Sequence, residues 1–117
     1  MSNGLSARDL SHDPAVVQAY ETDPLVHRVA TARWFTEATT AMQSTLADAS
    51  RLKVPVLFLH GGADPITSPA ATRTVYNPAG TQDRTHHEYP GLYHEIYNEN
   101  GKEAVFQDIE NWLSGRI

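Results

Sequence analysis

The sequence of 117 residues contains no cysteine. That excludes a disulfide framework, a thiol nucleophile and any cysteine-based metal site. Basic runs are missing too: nine lysines and arginines stand against fourteen aspartates and glutamates, a net charge of −5. An acidic chain of this kind is a poor match to a phosphate backbone, and no nucleic-acid partner is expected. No apolar stretch approaches the ~20 residues of a bilayer span, so no transmembrane segment is expected. The opening, Met1 to Leu10, lacks the apolar stretch of a secretory leader, which points to a cytoplasmic location. Internal repeats and low-complexity tracts are absent.

What is present suits one folded unit. Apolar residues make up 40 % of the chain. A chain of this length buries about 65 % of the surface its unfolded form exposes, enough for a small core. Two Asp-Pro steps, Asp13-Pro14 and Asp23-Pro24, punctuate the first zone. Proline suits the first turn of a helix, and an aspartate before it is a good N-cap that the proline itself holds out of the helical region. A short helix is therefore predicted from Asp13-Pro14 to Ala19 or Tyr20, with Val16, Val17 and Tyr20 on one face, and another turn from Asp23-Pro24. From about Thr31 to Ser50, Trp34, Ala38, Met42 and Leu46 recur every fourth residue, which is helical periodicity with one apolar stripe. Four threonines lower its intrinsic propensity, so this helix depends on packing its stripe against something. The stripe reads either as core or as Trp34, Phe35 and Met42 lining an apolar substrate tunnel.

The zone from Arg51 to Ile117 is the most informative. Val54-Pro-Val-Leu-Phe-Leu-His60 is a short, β-branched apolar run ending in Gly61-Gly62, the pattern of a strand in a parallel sheet. Ser68-Pro69 predicts a helix N-cap and first turn, with the helix running to Tyr76 and stopped by Pro78. Arg84 to Tyr89 reads as a more polar strand, turned out by Pro90-Gly91. Lys102 to Ser114 carries Val105, Ile109, Trp112 and Leu113 at helical spacing and closes at Gly115. Strand, helix, strand, helix predicts an α/β fold with a parallel pair and a right-handed crossover.

In such sheets ligands gather beyond the carboxyl ends of the strands. Asp64 follows the first strand after Gly61-Gly62-Ala63, and His94 follows the second after Pro90-Gly91-Leu92-Tyr93. Parallel strands open both turns on one rim, where the carboxylate and the imidazole can meet. A carboxylate that accepts the Nδ1–H of a histidine fixes its tautomer and stabilises the imidazolium formed when Nε2 takes a proton. Alone, an aspartate after Gly-Gly is an ordinary turn residue and a loop histidine an ordinary solvated one. Together, in the order Asp…His, they match the acid and base half of a nucleophilic hydrolase. A metal site from His86, His87, Glu88 and His94 is disfavoured, because adjacent residues on a strand point to opposite faces. Glu95 and Glu99, close to His94, read either as carboxylates that tune its basicity or, more simply, as solvated or structural groups.

The segments Val54-Pro-Val-Leu-Phe-Leu-His-Gly-Gly-Ala-Asp64-Pro-Ile and Tyr89-Pro-Gly-Leu-Tyr-His94-Glu-Ile-Tyr-Asn-Glu99 resemble the C-terminal part of an α/β-hydrolase. The likeness is to the monoacylglycerol lipase and lysophospholipase group of bacterial serine hydrolases. Leu10-Ser-His-Asp-Pro-Ala-Val-Val-Gln-Ala-Tyr-Glu-Thr-Asp-Pro-Leu-Val-His27 resembles the segment leading out of that group's cap. The resemblance implies a cap-derived helical segment, residues 1–50, followed by a portion of the hydrolase core, residues 51–117. It also implies that Asp64 is the triad acid and His94 the base, and that the helix with Trp34, Phe35 and Met42 shapes an acyl pocket. The implied substrate is a lipid-like carboxylic ester, and no cofactor is implied.

The group's nucleophile is a serine in Gly-x-Ser-x-Gly on a strained strand-to-helix elbow. None of Ser2, Ser6, Ser11, Ser44, Ser50, Ser68 or Ser114 has that frame. The His-Gly oxyanion-hole loop is missing as well. Without nucleophile and oxyanion donors the acyl-transfer cycle cannot run. Two expectations follow: a partial ester hydrolase that needs a completing chain, or a noncatalytic assembly module. The second would self-associate or pair through an exposed sheet edge.

Overall fold

Val56–Gly61 (β1) and Arg84–Tyr89 (β2) form a two-stranded parallel sheet in the computed structural model, which describes residues 1–117. Val56 pairs with Arg84 and Gly61 with Tyr89, so both strands finish at the same end. The helices are α1 (Pro14–Thr22), α2 (Ala32–Asp48), α3 (Pro69–Tyr76) and α4 (Lys102–Ser114). Three-residue 3-10 turns at Ala7–Asp9, Ala49–Arg51 and Ile96–Asn98 complete the chain. This is the α/β order expected from the hydrophobic pattern. No helix is long and apolar enough to cross a membrane.

Local chemistry explains most boundaries. The Asp13 carboxylate accepts the Ala15 amide at 2.8 Å and caps α1 ahead of Pro14. Thr31 caps α2 by accepting the Trp34 amide at 3.0 Å. The threonines of α2 each donate to the carbonyl one turn back, as Thr36 does to Ala32 at 3.1 Å and Thr45 to Ala41 at 2.9 Å. Such local bonds satisfy the hydroxyls without adding tertiary contacts. Ser68 precedes α3 as expected but makes no side-chain capping bond. The first residues are tied down by an antiparallel bridge between Ser2 and Val29.

Helices α3 and α4 cover opposite faces of the sheet. His86 lies against Tyr76 of α3, with ring centroids 5.4 Å apart. The next residue, His87, reaches the Asp108 carboxylate of α4 at 3.2 Å, and Tyr89 donates to the same carboxylate at 2.9 Å. The two adjacent histidines therefore face away from each other.

The core is thin. Ten of the 117 residues are buried, and Val105 is the only large side chain wholly inside. The radius of gyration is 16.0 Å, against about 13 Å for a compact domain of this length. Trp34, Phe35, Met42 and Leu46, the stripe of α2, are exposed. The stripe is amphipathic as the periodicity required, but these 117 residues leave most of it uncovered.

A carboxylate–imidazole pair at the end of the sheet

The turn after β1 and the turn after β2 are bonded to each other through backbone. The Gly62 amide donates to Tyr89 O at 2.7 Å, and the Ala63 amide to Leu92 O at 3.0 Å. Gly61 makes this approach possible: a Cβ there would stand 2.1 Å from Tyr93 O and 2.5 Å from Leu92 O. Gly91, at φ +82°, takes the left-handed turn that lifts the chain out of β2. These contacts deliver Asp64 and His94, thirty residues apart, to one place.

His94 Nδ1 lies 2.9 Å from Asp64 Oδ2. A carboxylate only accepts, so Nδ1 carries the proton and Nε2 keeps its lone pair. The Asp64 side chain is 2 % exposed and that of His94 37 %, so the acid is enclosed while the ring reaches solvent. The rest of the carboxylate is saturated with donors. Oδ1 accepts the amides of Ile66 at 2.7 Å and Thr67 at 3.0 Å, and Oδ2 accepts the Thr67 hydroxyl at 2.7 Å. Burial by itself would raise the Asp64 pKa. The bonds from Thr67, His94 and Ile66 outweigh it and hold the carboxyl far below the usual range.

A second histidine supports the acid. His60, at the end of β1, has Nε2 3.1 Å from Asp64 Oδ2 and 3.2 Å from the Thr67 carbonyl, and Nδ1 2.6 Å from the Thr72 hydroxyl. Both close partners of Nε2 are acceptors, which assigns it the proton and leaves Nδ1 to accept from Thr72. His60 so ties the end of β1 to α3 beside the carboxylate. Leu59, His60, Gly61, Asp64, Thr67, His94 and Ile96 line a cleft of 210 Å³. In the sequence His60 reads only as the end of a strand, and Thr67 has no part in the expected site. Their spacing around Asp64, four residues before and three after, was the available signal.

The other site residues expected from sequence lie elsewhere. Trp34, Phe35 and Met42 are 60 %, 64 % and 63 % exposed, and none of them lines the cleft at His94. Trp34 borders a separate hollow with Leu5, His27 and Val29. Glu99 is not solvated: its side chain is 1 % exposed.

A family model described as "Serine aminopeptidase, S33" (Hydrolase_4) matches residues 1–101. The chain belongs to this family. Among its relatives are a monoacylglycerol lipase of Mycolicibacterium smegmatis, 34 % identical over 97 % of this chain and 41 % of its own length, and a phospholipase of Bacillus subtilis, 30 % identical over 92 % and 42 %. The crystal structure of Paleococcus ferrophilus monoacylglycerol lipase superposes with a TM-score of 0.90 at 35 % identity, covering 97 % of this chain and 45 % of that one. The fold is thus part of an α/β-hydrolase, and the chain spans under half the length of the relatives it matches. That share accounts physically for the thin core: a sheet of two strands and one uncovered helix face are what a piece of a larger layered fold would present.

Proposed function

We propose that Asp64 and His94 are the acid and base of a serine ester hydrolase acting on monoacylglycerols or lysophospholipids. The observation that carries this is the 2.9 Å contact between Asp64 Oδ2 and His94 Nδ1 at the carboxyl ends of two parallel strands. In this reading Nε2 of His94 takes the proton of a serine hydroxyl as its oxygen adds to the ester carbonyl. The ring, now an imidazolium facing Asp64, gives that proton to the oxygen of the leaving alcohol as the ester bond breaks. In the second half Nε2 takes a proton from water, whose oxygen adds to the acyl carbon, and gives it to the serine oxygen as the acyl–serine bond breaks and the carboxylic acid leaves.

The serine lies outside these 117 residues, none of which falls in Gly-x-Ser-x-Gly. It is supplied by a longer chain or by a partner, and the 117 residues alone are inactive. Residues 1–50 act as the cap-derived part and residues 51–117 as the core part. The exposed face of α2 with Trp34, Phe35 and Met42 borders the acyl group in the completed enzyme. The test is hydrolysis of a p-nitrophenyl acyl ester by the isolated chain. No turnover above that of His94→Ala is expected; rapid turnover blocked by a serine-directed inhibitor would overturn the assignment of the nucleophile.

A second reading is favoured by the exposed stripe of α2 and the unpaired edges of a two-stranded sheet. In it the chain is an assembly module that pairs through the free edge, with itself or with a partner. Size-exclusion chromatography separates the readings: concentration-dependent association supports pairing, and a stable monomer at all concentrations counts against it.

A further inference from the structure

Glu99 lies outside the cleft and has no part in proton transfer as described above, yet its carboxylate is the most heavily bonded buried group outside the cleft. Oε1 accepts the Tyr93 amide at 2.8 Å and the ring Nδ1–H of His12 at 2.8 Å. Oε2 accepts the His12 amide at 3.0 Å and the Asn100 amide at 3.3 Å, with the Ser11 hydroxyl at 3.4 Å. That hydroxyl also reaches Asn98 O at 3.0 Å, and the Glu95 amide donates to Leu10 O at 2.8 Å. The His12 ring packs on Tyr93 with centroids 3.8 Å apart. One carboxylate therefore joins residues 10–13, just before α1, to residues 93–100, the loop that begins beside His94. Burial would raise the Glu99 pKa. The bonds from Tyr93 and His12, with the charge of His12, hold it below the ordinary value, so the group is a carboxylate in the folded chain.

We infer that Glu99 is a positioning residue for His94: it clamps the loop around the adjacent Tyr93 to the segment ahead of α1 and so holds the His94 ring on Asp64. The neighbouring geometry explains the requirement. The Tyr93 carbonyl already presses on Gly61, so a small movement of Tyr93 moves the next residue along the end of β1. The only hydrogen bonds of the His94 side chain are at Nδ1, to Asp64 and, at 3.5 Å, to the Thr67 hydroxyl. Keeping the ring on Asp64 therefore depends on where the backbone of residue 94 is held. Replacing Glu99 takes the acceptor from the amides of Tyr93 and His12 and so unties the loop from the segment ahead of α1. The inference takes from the proposed function only that the orientation of His94 matters.

The test is proton NMR of the 117-residue chain with 15N-labelled histidine, reading the His94 Nδ1 proton, which is visible only while its bond to Asp64 excludes exchange. Glu99→Ala is expected to broaden this signal beyond detection while helix content is retained. Val105→Ala, which truncates the fully buried core side chain, lowers the melting temperature but leaves the signal sharp. A sharp signal in Glu99→Ala, or equal loss in both variants, would overturn the inference. Amide exchange of the unaltered chain gives an independent measurement should Glu99→Ala not fold. The His12 and Tyr93 amides, sharing one acceptor, should show protection factors within about threefold, as members of one opening unit, and a difference beyond about tenfold would overturn the clamp. Neither readout uses ester turnover, so an absence of hydrolase activity in every completed assembly would remove the proposed function and leave this result standing.

Discussion

The backbone of Gly61 and the carbonyl of Tyr93 occupy adjoining space with no room for a side chain between them: a Cβ on Gly61 would stand 2.1 Å from that oxygen. One end of β1 therefore sets the path of the loop that presents His94. Gly61→Ala must push backbone rather than a flexible side chain, and we expect it to lower stability by about 1–3 kcal/mol, the range for overpacking. Urea unfolding measures the loss, and the His94 Nδ1 proton signal should weaken with it. An unchanged midpoint and an unchanged signal would show that the loop is not held by this contact.

Asp64→Asn tests the carboxylate itself. An amide keeps one acceptor oxygen and places an NH2 either at the Ile66 and Thr67 amides or at the Thr67 hydroxyl and the His94 ring, all of which donate to Asp64. Donor facing donor in an enclosed site costs about 1–3 kcal/mol. In a completed enzyme the same change would favour the wrong tautomer of His94 and lower turnover on the order of 10⁴-fold. Denaturant midpoints and ester turnover read the two effects separately.

Stability should depend on pH from both sides. Asp64 and Glu99 have folded pKa values below their ordinary ones, so the unfolded chain binds more protons and stability falls as acid protonates these groups. His86 acts in the same direction nearer neutrality. Burial is the largest influence holding its ring below 6.5, so stability starts to fall as the pH drops past that value. Tyr89 is raised, first by burial and then by its bond to Asp108. Its contribution is intact below about 10 and is lost above, where the unfolded phenol ionises. Urea midpoints from pH 3 to 11 should peak between about 7 and 10. A midpoint that rises on acidification from neutrality would contradict the assigned directions.

The uncovered stripe of α2 makes a prediction of the opposite kind. Phe35→Ala and Met42→Ala remove side chains that are mostly exposed, so each should change the stability of the chain by less than about 0.5 kcal/mol. In a completed hydrolase, where these residues are proposed to border the acyl group, the same changes should raise KM for long-chain esters. Losses of several kcal/mol in the isolated chain would mean that the helix packs against something in solution.

Legibility in the sequence followed from how local the deciding chemistry was. β2 and α4 occupy the bounds expected, Arg84–Tyr89 and Lys102–Ser114, because Pro90-Gly91 and Gly115 are strong local stops. α1 runs to Thr22, past Tyr20, because the Thr22 hydroxyl bonds Gln18 O at 2.9 Å and the Asp23 amide closes on Ala19 at 3.0 Å, neither of which shows in apolar spacing. The meeting of Asp64 and His94 was legible, since each follows its own strand and parallel pairing brings the two turns together. The burial of Glu99 was not, because its partners Ser11 and His12 lie 88 and 87 residues away in the chain. The Ser2–Val29 bridge was hidden for the same reason. The exposure of Trp34, Phe35 and Met42 was illegible for a different one. An amphipathic pattern reports that a face is apolar, not that this chain contains what covers it.

The most direct measurement is made on a chimera in which these 117 residues replace the matching 41 % of the Mycolicibacterium smegmatis monoacylglycerol lipase. Glycerol release from a monoacylglycerol is followed with and without His94→Ala. We expect the chimera to hydrolyse the ester and His94→Ala to reduce turnover by at least ~10³-fold, as removal of a triad base does. A folded, active chimera that keeps its turnover without the imidazole at position 94 would contradict the pairing of Asp64 and His94 as acid and base.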